Sequence, residues 1–96
     1  MLELDERNYA SQVEHGKAVL IGLCKGAPLC DGFLPFAETS ELQCCKLDLT
    51  AQPELARRLS CHRVTPSLLL LQEGKVIQRF WGSYDSGALE KILRSR

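Results

Sequence analysis

Thr65-Pro66-Ser67-Leu68-Leu69-Leu70-Leu71-Gln72-Glu73-Gly74-Lys75-Val76-Ile77-Gln78-Arg79-Phe80-Trp81-Gly82 decides the fold. Ser67 to Leu71 reads as a buried run of strand length, the pattern of a strand covered on both faces. Gln72-Glu73-Gly74-Lys75 is a short turn, and Val76 to Trp81 is a second β run, so the pair forms an antiparallel hairpin. Gly82 breaks that strand. Ser83, Asp85 and Ser86 then offer N-caps for a closing helix with Leu89, Ile92 and Leu93 on one face.

Upstream, Ala18-Val19-Leu20-Ile21-Gly22-Leu23 is another continuous apolar run and predicts a central strand in a layered α/β fold. Leu42 to Leu49 alternates in part, with Cys45, Leu47 and Leu49 on one side. Adjacent Cys44 and Cys45 then point to opposite faces. Asp5 to His15 predicts a helix that carries Tyr9 and Val13 on one face, with Gly16 as its stop. A loop with Gly26, Pro28, Gly32 and Pro35 leads into a short or irregular helix. Thr50-Ala51-Gln52-Pro53 opens another, with Thr50 as cap and Glu54 to Leu59 continuing it. The order (β)αβαβαβ-β-α predicts helices on both faces of one sheet.

At 96 residues, with 45% hydrophobic and 25% charged residues, the chain has ordinary globular composition and is expected to form one domain, 1–96. Twelve basic and twelve acidic residues cancel, which argues against a phosphate-tracking nucleic-acid binder and against a polybasic membrane-surface protein. No apolar stretch approaches the ~20 residues that span a bilayer. Met1-Leu2-Glu3-Leu4-Asp5-Glu6-Arg7 is acidic and amphipathic, unlike a secretory signal, and the expected location is cytoplasmic.

The sequence resembles the thioredoxin family. Lys46-Leu47-Asp48-Leu49 and Pro53-Glu54-Leu55-Ala56 carry the match, followed by Thr65-Pro66 with its leucine run, Glu73-Gly74-Lys75-Val76, Gly82 and Leu89. Leu4-Asp5-Glu6 to Tyr9 and Val19-Leu20-Ile21 extend it more loosely over the first half. The resemblance implies a three-layer α/β/α sandwich around a mixed sheet of four to five strands. It also implies that Pro66 is cis and that Thr65 presents its backbone to a substrate chain, with Trp81 and Gly82 flanking the groove. The active-site segment departs from the family. Anchored on Pro35, the second cysteine of the family's Cys-x-x-Cys falls on Cys30 and the first on Ala27, giving Ala27-Pro28-Leu29-Cys30. The family's buried acid corresponds to Gly22, and its lysine survives as Lys46.

Five cysteines, Cys24, Cys30, Cys44, Cys45 and Cys61, are an odd count and read first as thiols; each also has the plain reading of a small buried hydrophobe. Cys30 would stand in the first turn of the second helix, where the helix dipole favours a thiolate. Cys24 and Cys30 are spaced to close a tight loop if their Cα atoms approach within roughly 4.4–6.8 Å, and two separate packed thiols are the alternative. Cys61-His62 lacks the convergent ligands of a zinc site, so neither metal nor cofactor is expected. Arg57 and Arg58 read as a solvated helix face.

Two functions follow from the resemblance. One is an atypical thiol–disulfide oxidoreductase that uses Cys30, with Cys24 as its candidate partner, beside the Thr65-Pro66 platform. Its substrate would be a protein or peptide carrying a disulfide or thiol. The other is a redox-inactive adaptor that holds an extended peptide in the same groove, lined by Ala27, Pro28, Leu29, Thr65, Pro66, Trp81 and Gly82. Thiol peroxidase ranks last, because Ala27 replaces the hydroxyl residue used three positions before that cysteine.

Overall fold

The computed structural model describes residues 2–14, 17–25, 29, 32–61, 65–82 and 84–94. In chain order these form β1 (Leu2–Glu3), α1 (Tyr9–Val13), β2 (Ala18–Cys24), α2 (Phe33–Thr39), β3 (Gln43–Asp48), α3 (Pro53–Arg58), β4 (Leu68–Gln72), β5 (Lys75–Phe80) and α4 (Ser86–Arg94). The strands make one mixed sheet of five in the order β1-β3-β2-β4-β5. β1, β3 and β2 are parallel, while β4 is antiparallel to both β2 and β5.

Side-chain alternation along the central strands creates two cores. Val19, Ile21 and Leu23 of β2 join Leu69 and Leu71 of β4 on the face covered by α1 and α3, together with Tyr9, Val13, Leu55 and Leu59. Leu20, Leu68 and Leu70 face the other way, onto Phe33 and Phe36 of α2 and Leu89 of α4. Both faces are therefore apolar, which is why these strands read as unbroken hydrophobic runs. Cys45 lies in the first core and Cys44 packs against the second, the opposed pair that strand geometry requires.

Some boundaries shift for local reasons. The first helix begins later than expected because Asp5 and Asn8 close a capped turn. Asp5 Oδ1 accepts from the Arg7 and Asn8 amides at 2.9 and 3.0 Å, and Asn8 Oδ1 accepts from the Asp5 amide at 2.9 Å. Thr50 does not cap the third helix, whose N-cap position is Gln52 with no side-chain bond; in the turn before it Asp48 accepts from the Thr50 and Ala51 amides at 2.9 and 3.2 Å. At the closing helix the Asp85 Oδ1 accepts the Ala88 N–H at 2.7 Å, and Ser83 lies outside the described residues. The β4–β5 turn has positive φ at both Glu73 (53°) and Gly74 (80°), the geometry of a two-residue turn matched to strand twist. His15 and Gly16 lie outside the described residues.

Candidate functional site

The sheet brings the described part of the predicted site to one end. Gly22 pairs with Leu68, and the Leu23 N–H donates to the Ser67 carbonyl at 3.0 Å. One further step of that antiparallel register sets Pro66 opposite Cys24. On the other side the Ser67 N–H donates to the Phe80 carbonyl at 2.8 Å, and the Ser67 hydroxyl donates to the carbonyl of Gly82. Cys24, Thr65, Pro66, Trp81 and Gly82 are thus gathered along the ends of three neighbouring strands. Leu29 is half-buried against the second core. Ala27, Pro28 and Cys30 lie outside the described residues, and with them the Ala27-Pro28-Leu29-Cys30 segment as a unit.

Thr65 has an unusual backbone. Its hydroxyl donates to the Cys61 carbonyl at 3.3 Å, but among the described residues neither its N–H nor its C=O has a backbone partner. Pro66 is buried beside it, and Trp81 is 50% exposed just past the end of β5. The expected cis bond is absent: no described peptide is cis, Thr65–Pro66 included. Even before proline the trans form is the lower in energy.

Cys24 is held as a thiol. Its Sγ–H donates to the Leu47 carbonyl at 3.6 Å, and burial pushes its pKa up. Asp48, its register partner on β3, pushes it further, against a partial pull from Lys46, and Glu3 adds to the rise. A nucleophilic cysteine needs the opposite surroundings. Asp48 was not legible as part of this site, because only the strand register places its carboxylate beside the sulfur.

Gly22 and Lys46 are register partners, as the resemblance implies for the acid and its lysine. The space an acid would need is taken by Phe33, whose ring atoms stand 2.6–2.9 Å from where a Gly22 Cβ would be. A glycine inside an otherwise unbroken apolar strand is the sequence signal for such a close approach.

The remaining described thiols are also masked. Cys45 and Cys61 are buried, and Cys44 is half-buried. Burial raises all three, Cys44 to about 11 with help from Cys45. In the unfolded chain such thiols ionise near pH ~8.5. The folded state therefore keeps protons that the unfolded state releases. The stability this represents is intact below about pH 8.5 and is lost as pH climbs through the raised values. Urea midpoints are expected to fall from pH ~8.5 upward, and Cys44→Ala is expected to flatten that fall; an unchanged slope in the variant would contradict it.

Among the described residues no three His, Cys, Asp or Glu side chains converge as a metal site, and no helix is long and apolar enough to cross a membrane.

These features define a class: the chain has a thioredoxin-like fold. The zinc-bound form of human ERp44 superposes with a TM-score of 0.80 at 14% identity, over 99% of this chain and 31% of that one. A mutant thioredoxin from Halobacterium salinarum NRC-1 gives a TM-score of 0.76 at 21% identity, over 98% of this chain and 88% of that one. The chain therefore spans under a third of ERp44 and most of the thioredoxin. No protein-family model and no curated protein sequence matches it.

Proposed function

We propose that this chain is a cytoplasmic thiol protein that grips an extended peptide segment along Thr65-Pro66 and reacts with it through Cys30, without a two-cysteine cycle. The backbone of Thr65, which has no backbone partner among the described residues and stands at the strand ends where Trp81 is exposed, carries the reading. A residue whose N–H and C=O have no backbone partner among the described residues suits β-strand addition by a client chain. The thiolate of Cys30 would attack a client disulfide, forming a mixed disulfide while the other client sulfur leaves and takes up a proton. That sulfur, or an external thiol, would then attack the mixed disulfide and release Cys30. Cys24 is the poorer resolving partner, because Asp48 opposes its ionisation. A client bearing a disulfide or thiol is the partner this chemistry requires.

The second reading, a redox-inactive peptide-binding module, is favoured by Phe33 filling the space over Gly22, where the family's proton relay would stand. Cys30→Ser separates the two. Under the proposed function it abolishes mixed-disulfide formation in a graded glutathione redox buffer, read by alkylation and mass spectrometry. Five thiols that remain reduced and unmodified in the wild type across that range would leave only the binding module.

A further inference from the structure

At the opposite end of the sheet from Thr65, beside the β4–β5 turn, lies a cleft of about 390 Å³. Arg58 and Arg79 line it with Tyr9, Ser60, Val76 and Glu14. We propose that this cleft binds a small organic oxyanion, a molecule that offers one carboxylate or phosphate group to the two guanidinium groups and rests its apolar body on Val76.

The two arginines are placed for a ligand rather than for each other's neighbours. Among the described residues the ion pairs are Arg57–Glu54 and Arg94–Glu90, so neither Arg58 nor Arg79 is neutralised by a carboxylate. Arg58 is held over the Tyr9 ring, its Cζ 5.6 Å from the centroid, a contact that fixes the guanidinium, and no hydrogen bond from it is found among the described residues. Arg79 is held by the backbone: its Nη1 donates to the Leu59 carbonyl at 3.3 Å and lies 3.9 Å from the Cys61 sulfur. A guanidinium has five N–H donors, so most of the Arg79 fork remains available.

The wall between them is also fixed. α3 ends in a reciprocal cap in which the Cys61 N–H reaches the Ala56 carbonyl at 2.8 Å and the Ser60 N–H reaches the Arg57 carbonyl at 3.1 Å. This cap turns the chain through Ser60, at φ 59°, a position where glycine is usual. Ser60 and Tyr9 each add a hydroxyl to the lining. Two guanidinium groups against the single carboxylate of Glu14 leave a net charge near one, which a singly charged group balances. Paired arginines recognise planar or tetrahedral oxyanions through parallel N–H bonds, and the cleft volume falls within the ~300–1,000 Å³ of small-molecule sites.

The test is an amide NMR titration of the intact chain with benzoate and, separately, phenyl phosphate, against sodium chloride at equal ionic strength. Saturable shifts at Ser60 and Gly74 with either probe are expected, and the tighter probe identifies the oxyanion class. Arg58 is exposed, so Arg58→Gln is expected to fold normally and to bind at least ~10-fold more weakly, the loss of a charge-assisted hydrogen bond. Glu14→Gln is expected to bind several-fold more tightly, a gain no merely structural role predicts. The absence of saturable shifts with both probes, or an unchanged affinity in Arg58→Gln, would overturn the proposal.

Discussion

Gly22→Asp, which returns an acid to the strand position where the thioredoxin family carries one, is expected to cost on the order of 4 kcal/mol of stability or more. Two effects combine. The new Cβ would stand 2.6–2.9 Å from three ring atoms of Phe33, and that ring is fully buried, so it has no solvent side to swing towards. The carboxylate would then enter an apolar layer among Leu20, Leu68 and Leu70. Lys46 stands across from Gly22 on β3 and is half-buried, but an ion pair formed there seldom recovers the desolvation it requires. Equilibrium urea unfolding measures the loss. Phe33→Ala alone is expected to cost ~3–5 kcal/mol. Combined with Gly22→Asp, the total should fall clearly short of the sum of the two, because removing the ring opens the space the acid needs. A loss below ~1 kcal/mol for Gly22→Asp would mean that the ring yields freely and does not seal this position. Under the proposed function, exchange at Cys30 would take its protons from solvent or client, because hydrophobic packing fills the space over Gly22.

How much of this was legible depends on which physical signal carries it. Burial on both faces writes itself into sequence as continuous apolar runs, so Val19 to Leu23 and Leu68 to Leu71 announced the central strands. The Glu73-Gly74 turn marked the connection of the second of these to β5, and the alternation through Cys45, Leu47 and Leu49 set the facing of β3. Helix starts were less legible, because several residues compete to cap. Thr50 has the chemistry of a cap, yet α3 starts after Gln52 without a side-chain cap, and Asp48 instead holds the turn amides of Thr50 and Ala51 before it. Thr65-Pro66 and Cys24 were legible as neighbours at one end of the sheet, but the surroundings of Cys24 were not. That Asp48 and Glu3 oppose ionisation of Cys24 is a property of strand register, which a one-dimensional reading does not contain. The trans bond before Pro66 marks the same boundary: a family pattern carries the residue but not its isomer. Arg58 read as a solvated helix face, and it is exposed; its partner, the Tyr9 ring, comes from a different helix.

Two glycine-to-alanine changes on one seam are expected to act in opposite directions. Gly32 caps the start of α2 with φ −83° and ψ −7°, a conformation any residue adopts, so space alone requires glycine there. Its Cβ would lie 2.3 Å from the Tyr84 carbonyl oxygen and 2.3–2.4 Å from Asp85 backbone atoms. Backbone cannot rotate aside as a side chain does, so the whole joint between α2 and α4 must open. Opening it strains the 2.9 Å bond from the Gly32 N–H to the Tyr84 carbonyl and displaces Asp85, which caps α4. Gly32→Ala is therefore expected to cost ~3 kcal/mol, the upper range for overpacking. Gly87 lies inside α4, where an added Cβ meets nothing nearer than the Asp85 carboxylate at 3.5 Å. Gly87→Ala should stabilise by ~0.5–1 kcal/mol through helix propensity. Urea unfolding of both variants checks the pair, and hydrogen exchange at the residue 32 amide distinguishes an opened joint from global loss. An unchanged or raised stability in Gly32→Ala would mean that the α2–α4 seam is not closed at Gly32. Because Cys30 is two residues before Gly32 in the chain, Gly32→Ala also bears on reactivity. An opened joint that left mixed-disulfide formation at Cys30 intact would place the determinants of that thiol upstream, towards Cys24 and Leu29, rather than in the anchoring of α2.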